Sequence, residues 1–225
     1  MLRMTSKTVK ELVDKLIPPA VVKLSRSLCD GGRAGTAGER MKNVLSELEA
    51  LPARMRITTL VLTKCDMKGQ DAERLAGVLA QCPALAHLDL GYNQIGDEGA
   101  GSIAGVLSQC PLLSHLHFWC NGIGAPGAER LAGVLAHCPL LSYLNLAWNE
   151  LGDEGAGALA GVLPHCPALV YLDLQGNQIG DAGAEKLADV LTKCPALALK
   201  CARLLRRINL SCGGTSDTHS LRPIH

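Results

Sequence analysis

The stretch that decides the fold is LAHLDLGYNQIGDEGAGSIAGVLSQCPL, Leu85 to Leu112. It holds two periodicities in succession. Leu88 and Leu90 alternate with His87 and Asp89, which reads as a short strand with one buried face. From Glu98 onward the apolar residues Ala100, Ile103, Ala104 and Leu107 recur at helical spacing. Gly96 can turn the chain between the two halves. Asp97 stands where a helix N-cap is expected, accepting from orphan backbone N–H groups. Cys110-Pro111 closes the helix, because a residue before proline is pushed out of the α region.

The pattern recurs every 28 residues from Ile57 to Ala196, giving five units that cover 140 of the 225 residues. They begin at Ile57, Leu85, Leu113, Leu141 and Leu169. The fourth repeats the second through Leu144, Leu146, Asn149, Leu151, Gly152, Asp153, Gly155, Ala156, Leu159, Ala160, Leu163, Cys166 and Pro167. The first departs most, with Cys65 in place of Asn and Asp71 in place of Gly. In the third, Ala125 takes the N-cap place and Pro126 follows at the first helical position, where its missing N–H does no harm. Asp153 and Asp181 are expected to cap like Asp97, and Gly124, Gly152 and Gly180 to turn like Gly96. The spacing predicts parallel strands at 58–62, 86–90, 114–118, 142–146 and 170–174, each followed by a helix.

A single unit cannot bury its apolar side, so the units must stack. Strands stack about 4.8 Å apart and helices need about 8–10 Å. The stack therefore curves, strands inside and helices outside. Small residues at 76/77, 104/105, 132/133 and 160/161 let the helices approach closely.

L-x-x-L-x-L-x-x-N-x-I/L-G-D-x-G-A followed by L-A-x-x-L-x-x-C-P resembles the ribonuclease-inhibitor type of leucine-rich repeat. The wording looks most like the repeats of NLRC-type NOD-like receptors and is also similar to those of Ran GTPase-activating proteins. The resemblance implies an α/β leucine-rich repeat solenoid, a right-handed horseshoe with a parallel concave sheet and convex helices. It implies a non-enzymatic protein-binding concave face, in NOD-like innate signalling or regulation. The alternative it carries is an activator of a Ran-like small GTPase.

Composition narrows the class. The chain is 48% hydrophobic and 19% charged with a net charge of +1, which is incompatible with disorder throughout. No run approaches the ~18 apolar residues of a spanning helix, so no membrane role is expected. Five of the ten cysteines precede proline at 28-residue intervals, Cys82, Cys110, Cys138, Cys166 and Cys194. Such spacing marks a repeat. One cysteine per unit on the spreading side of an arc suits apolar packing better than a disulfide or a metal site. Without a secretory-type apolar run at the start, a reducing compartment is expected, the cytoplasm or the nucleus.

Charge divides the chain in three: +5 over residues 1–56, −8 over 57–196 and +4 over 197–225. An acidic array argues against nucleic acid, which needs Lys and Arg for its phosphates, and favours a protein partner with a basic patch. Residues 1–56 read as a helical N-terminal cap region, with helices at 7–27 and 38–52. Leu45, Leu48 and Leu51 would cover the first unit, since a solenoid end needs a cap. After Pro195 the period fails. Residues 197–225 read as a degenerate last repeat, with an irregular strand at 205–210, and a disordered basic tail.

No nucleophile–base pair, phosphate loop or paired carboxylate emerges, and no cofactor is expected. Asn93, Asn121, Asn149 and Asn177 form a column suited to binding backbone groups of the adjacent unit. The chain has only six aromatic residues. Phe118 takes a core position, and Tyr92, Trp119, Tyr143, Trp148 and Tyr171 fall on strand positions facing away from the helices or just after them. Trp and Tyr are frequent binding hot spots, although Trp119 and Trp148 could instead stack on each other. His87, Asp89, His115, His117, Asn145 and Asp173 lie on the same face and complete a candidate partner-binding surface. His87, His115 and His117 have a spacing that could reach one zinc ion. Nothing supplies a second shell or a closed pocket, so exposed polar residues are expected there, with no metal.

Overall fold

The structure, a computed structural model, describes residues 20–25, 37–50, 57–194 and 196–200. Its described strands form one parallel sheet in chain order: β1 (Ala20–Ser25), β2 (Ile57–Thr63), β3 (His87–Asp89), β4 (His115–His117), β5 (Tyr143–Asn145), β6 (Tyr171–Asp173) and β7 (Ala198–Lys200). Helix α1 (Ala37–Glu49) precedes β2; α2 (Gly69–Leu79), α3 (Gly96–Leu107), α4 (Ala125–Leu135), α5 (Gly152–Val162) and α6 (Asp181–Leu191) follow β2 to β6 in turn. Strands and helices alternate in a parallel stack, as the period predicts, and this is the α/β leucine-rich repeat solenoid that the resemblance implies.

The register equals the repeat. Leu60, Leu88, Leu116, Leu144 and Leu172 are Cα partners across five strands, and all are fully buried. Leu62, Leu90, Phe118, Leu146 and Leu174 form a second column. The helices close the core with Ala100, Ile103, Ala104 and Leu107 and their equivalents. Truncating one such leucine to alanine costs about 2–5 kcal/mol, the transfer term plus a cavity.

Strands β3 to β6 are three residues long where five were expected. The chain leaves the extended region soon after each strand, with Tyr92, Cys120 and Trp148 at φ near +57°. A larger departure lies at the start. The helix expected over 7–27 is contradicted at Ala20–Ser25, which is a strand pairing with β2. The β-branched pair Val21-Val22 suits a pleated surface. Val22 is buried and the added strand covers an edge that would otherwise be open. The rest of that expected helix lies outside the described residues. The second expected helix is present as α1. Met41, Leu45 and Leu48 bury one face of it over α2, Leu51 lying outside the described residues. Arg74 grips Glu49 with two hydrogen bonds of 3.0 and 2.9 Å. Both groups are exposed, so the pair fixes orientation more than it stabilises.

At the other end the period shortens by one. Leu199 pairs with Leu172, a step of 27 rather than 28. A step of 28 would put Lys200 in the leucine column, and a one-residue shift swaps the two faces of a strand. The irregular strand expected at 205–210 lies outside the described residues.

The turns from strand to helix alternate, making the structural repeat two units long. In the second and fourth units Gly96 and Gly152 are left-handed, at φ +62° and +57°, as expected of turning glycines. In the third and fifth, Gly124 and Gly180 have ordinary negative φ and serve as the N-caps of α4 and α6. Space is tightest at Gly180, where a Cβ would lie 2.7 Å from an Asp153 carboxylate oxygen; at Gly124 the nearest atom, on Asp97, is 3.3 Å away. The expected capping by Asp97 and Asp153 is thereby corrected. Neither caps its own helix; those helices begin at Gly96 and Gly152 with no side-chain cap. Asp97 Oδ1 accepts from the Gly124 and Gly127 N–H groups at 2.7 and 3.0 Å, and Asp153 Oδ1 from Gly180 and Gly183 at 2.6 and 2.9 Å. Each aspartate caps the helix of the following unit. Asp181 and Ala125 are the first residues of α6 and α4 rather than caps. Asp71, the departure in the first unit, accepts from the Lys68 N–H within its own unit.

The asparagine ladder is uneven, and Asn177 Oδ1 accepts one N–H group of the preceding unit, from Leu151 at 3.4 Å. Asn93 and Asn149 each receive two N–H groups of the preceding unit, from Cys65 and Met67 and from Asn121 and Ile123, at 2.9–3.1 Å. Their Nδ2 groups donate to carbonyls of both units. Asn121 Nδ2 donates likewise, but its buried Oδ1 has no partner among the described residues.

The cysteines Cys82, Cys110, Cys138 and Cys166 are buried free thiols, and Cys194 is half-buried. Three of them donate to the carbonyl four residues earlier. Burial pushes Cys110 up to about 12 and Cys166 to about 11, so both stay protonated.

Candidate functional site

Pairing at a step of 28 brings the predicted side chains into two rows on the sheet face opposite the helices. One row is Thr59, His87, His115, Tyr143 and Tyr171; the other is Val61, Asp89, His117, Asn145 and Asp173. Period-2 alternation forces this, since every leucine between them points into the core. The rings form a continuous ladder. His87 lies 5.4 Å from His115 and 5.1 Å from His117, centroid to centroid. His117 and Tyr143 stack at 4.9 Å, and Tyr143 and Tyr171 at 4.2 Å with 10° between planes.

The three histidines are thus neighbours, with the His87 ring tilted by 31° and 39° against those of His115 and His117. Among the described residues no group of three His, Cys, Asp or Glu is arranged to hold a metal ion. Burial lowers the pKa of His117 below the ordinary value of 6.5, and His87 and His115 push the same way against the opposing pull of Asp89. Its Nε2 is buried without a hydrogen-bond partner among the described residues.

The carboxylate and amide groups of the second row also have local work. Asp89 Oδ1, Asn145 Oδ1 and Asp173 Oδ1 accept from the N–H two residues on, at 2.9, 2.9 and 3.0 Å. These are Asx turns that close each strand. Tyr171 donates to Asp173 Oδ2 at 3.2 Å.

Just beyond the strands, Tyr92 and Trp148 are 49% and 61% exposed. Trp119 and Trp148 do not stack on each other. The Trp119 indole covers Gly91, where a Cβ would lie 1.9 Å from its Nε1, and Trp148 covers Gly176. Each tryptophan therefore leans onto a glycine of the neighbouring unit, in opposite directions. Tyr92 packs on Trp119 at 5.7 Å. The sequence reading missed Lys64, whose Nζ lies 5.3 Å from the Tyr92 ring centre. The signal was available, because Lys64, Tyr92, Cys120, Trp148 and Gly176 occupy the same place in successive units. It also missed the exposed Leu112, Leu140 and Val170 on the return from helix to strand.

The comparisons with known proteins agree with this geometry. A family model described as Leucine Rich repeat matches four tandem segments, 81–104, 109–132, 137–160 and 165–188. The chain therefore carries leucine-rich repeats. It is similar in fold to a solved structure described as Leiomodin-1 Actin-Binding Site 2 (ABS2), with a TM-score of 0.53 and 14% identity, covering 80% of this chain and 96% of that chain. At that identity the likeness shows the fold alone. No curated protein matches the chain in sequence. No helix of the described residues is long and apolar enough to cross a membrane.

Proposed function

We propose that the protein is a non-enzymatic binding module whose concave face holds a partner protein. The observation that supports this most is the unbroken ladder His87, His115, His117, Tyr143 and Tyr171, bordered by Tyr92, Trp119 and Trp148. In a chain with six aromatic residues, five lie along one face. The stacking fixes their rotamers before binding, which lowers the entropy cost of an interface. Aromatic core and polar rim match the usual anatomy of protein interfaces. Asp89 and Asp173 on the face, within an acidic repeat array, favour a partner patch that is basic.

The setting we propose, regulation of NOD-like receptor-type innate signalling in the cytoplasm or nucleus, is supported by the wording of the repeats alone. Single-turnover GTP hydrolysis by a Ran-like GTPase, with and without the protein, separates this from a GTPase activator; no acceleration is expected. The binding face is tested once a partner has been isolated with the intact chain. Replacing Trp119 and Trp148 by alanine should then weaken affinity by about 2 kcal/mol or more, roughly 30-fold. The convex pair Glu129→Ala/Lys186→Ala should leave it unchanged. The reverse result would move the site to the outer face and defeat the proposal.

A further inference from the structure

The rim on which the helices end and the strands begin has a composition of its own. Its four turns, 80–86, 108–114, 136–142 and 164–170, contain no Asp, Glu, Lys or Arg, in a chain that is 19% charged. They are nevertheless exposed. Pro83, Pro111, Pro139 and Pro167 face solvent, and Leu112, Leu140 and Val170 are 47%, 49% and 48% exposed. Hydroxyls do not make the rim polar, because Ser114 and Ser142 turn theirs onto the carbonyls of Ala86 and Ser114, at 3.0 and 3.1 Å. An exposed ridge of leucine and proline without charges has the make-up of a protein contact. The opposite rim, where the helices begin, carries Asp97, Glu98, Asp153, Glu154 and Asp181 in their first turns.

Two features select a second copy of the chain as the occupant. The first is charge. Residues 57–196 sum to −8, so two copies repel wherever their carboxylates face each other. This rim lets them meet without that repulsion. The second is symmetry. The ridge is regular, because each turn makes the same pair of bonds, Cys110 N–H to the Leu107 carbonyl and Leu113 N–H to that of Cys110, repeated at 82/85, 138/141 and 166/169. Along it the residues after proline are Ala84, Leu112, Leu140 and Ala168, which read the same in both directions. A two-fold contact requires residue i to meet j while j meets i. Turned end for end, this row meets that condition, Leu112 lying against Leu140 of the second copy and Ala84 against Ala168. A lipid surface would instead call for lysines and arginines among the apolar groups, which these turns lack.

We propose that two copies of the protein associate through this rim, about a two-fold axis between Leu112 and Leu140. The contact does not use the concave face and is independent of the function proposed for it; the dimer presents that face twice, which raises avidity for a partner with two sites.

Size sets the strength. Four stacked units give a rim roughly 30 Å long and about 10 Å deep. That buries about 300 Å² per copy, well below the ~800 Å² of a standard interface. The dimer is therefore transient, with a Kd of about 100 µM.

Sedimentation velocity on the full chain, from about 10 µM to 1 mM, brackets that affinity. The expected result is a monomer–dimer equilibrium that stops at two copies. It should tighten from about 50 to 500 mM NaCl, as the repulsion between arrays is screened. Each substitution acts twice in a two-fold dimer. Leu112→Ala/Leu140→Ala should weaken association about tenfold, and Leu140→Asp, which sets an unpaired charge in the contact, should weaken it further. The positions are exposed, so the thermal midpoint should stay. The pairs Glu129→Ala/Lys186→Ala and Trp119→Ala/Trp148→Ala should leave association unchanged. A monomer throughout the range would overturn the proposal, and so would growth beyond the dimer. Association that weakens with salt would tie a basic flank of one copy to the acidic array of another, and association lost with the tryptophans would move the contact to the concave face; either result overturns the rim dimer. A monomer that cosediments with phosphatidylserine vesicles, and no longer does so as Leu140→Asp, would give the rim to lipid and overturn it as well.

Discussion

Replacing Asp97 by alanine tests whether the units are joined by side-chain caps. Asp97 Oδ1 serves two N–H groups of the next unit, at Gly124 and Gly127. Loss of an N-cap side chain costs about 1 kcal/mol, within a range of roughly 0.5–2. The carboxylate also faces the positive end of α4, which adds about 0.3–1 kcal/mol. Asp97 is half-buried, so water can replace part of the interaction. The expected loss is about 1–1.5 kcal/mol for Asp97→Ala. Asp97→Asn, which keeps the accepting oxygen and drops the charge, should lose about half of that. Glu98→Ala, one residue on and exposed, should stay within about 0.5 kcal/mol. The assay is urea unfolding followed by far-UV circular dichroism, with stability from linear extrapolation. In a stacked array a weakened interface also uncouples neighbours, so the slope should fall in Asp97→Ala alone. If Asp97→Ala costs no more than Glu98→Ala, the inter-unit cap contributes nothing and the alternation of the turns needs another cause.

Asn149→Ala should destabilise more than Asn121→Ala, by about 1–2 kcal/mol, because Asn149 Oδ1 satisfies two buried N–H groups and Asn121 Oδ1 satisfies none among the described residues; matched urea titrations would show equal losses if the reasoning is wrong. The lowered pKa of His117 means that the folded state binds fewer protons than the unfolded chain as pH falls. Stability should therefore drop from about pH 6.5 downward, and His117→Asn should flatten thermal midpoints measured between pH 7.5 and 5.5. A dependence of equal size in the variant would exclude His117 as its source. Among the described cysteines, half-buried Cys120 should react with a maleimide well before Cys110, whose thiol is buried and pushed up to about 12; peptide mass spectrometry of the briefly labelled native protein reads the order.

The sequence by itself determined the parts that depend on local periodicity. Alternation at Leu88 and Leu90, helical spacing from Ala100 to Leu107 and exact recurrence at 28 residues specify which side chains meet. Equal spacing in a parallel stack turns residues 28 apart into neighbours. The rows His87–His115–Tyr143–Tyr171 and Asp89–His117–Asn145–Asp173 were legible for that reason. The tertiary structure decided what depends on the neighbour rather than the unit. Asp97 has the same local sequence as a helix N-cap, yet its acceptor is directed to the unit beyond, because Gly124 and Gly127 offer two N–H groups where no side chain intrudes. Ala20–Ser25 carries a pattern compatible with a helix, and the open edge of β2 makes it a strand. Leu199 pairs with Leu172 at a step of 27, where the 28-residue step would have set Lys200 opposite it. The indoles of Trp119 and Trp148 lean apart because Gly91 and Gly176, one unit before and one unit after, lack a Cβ where each lies.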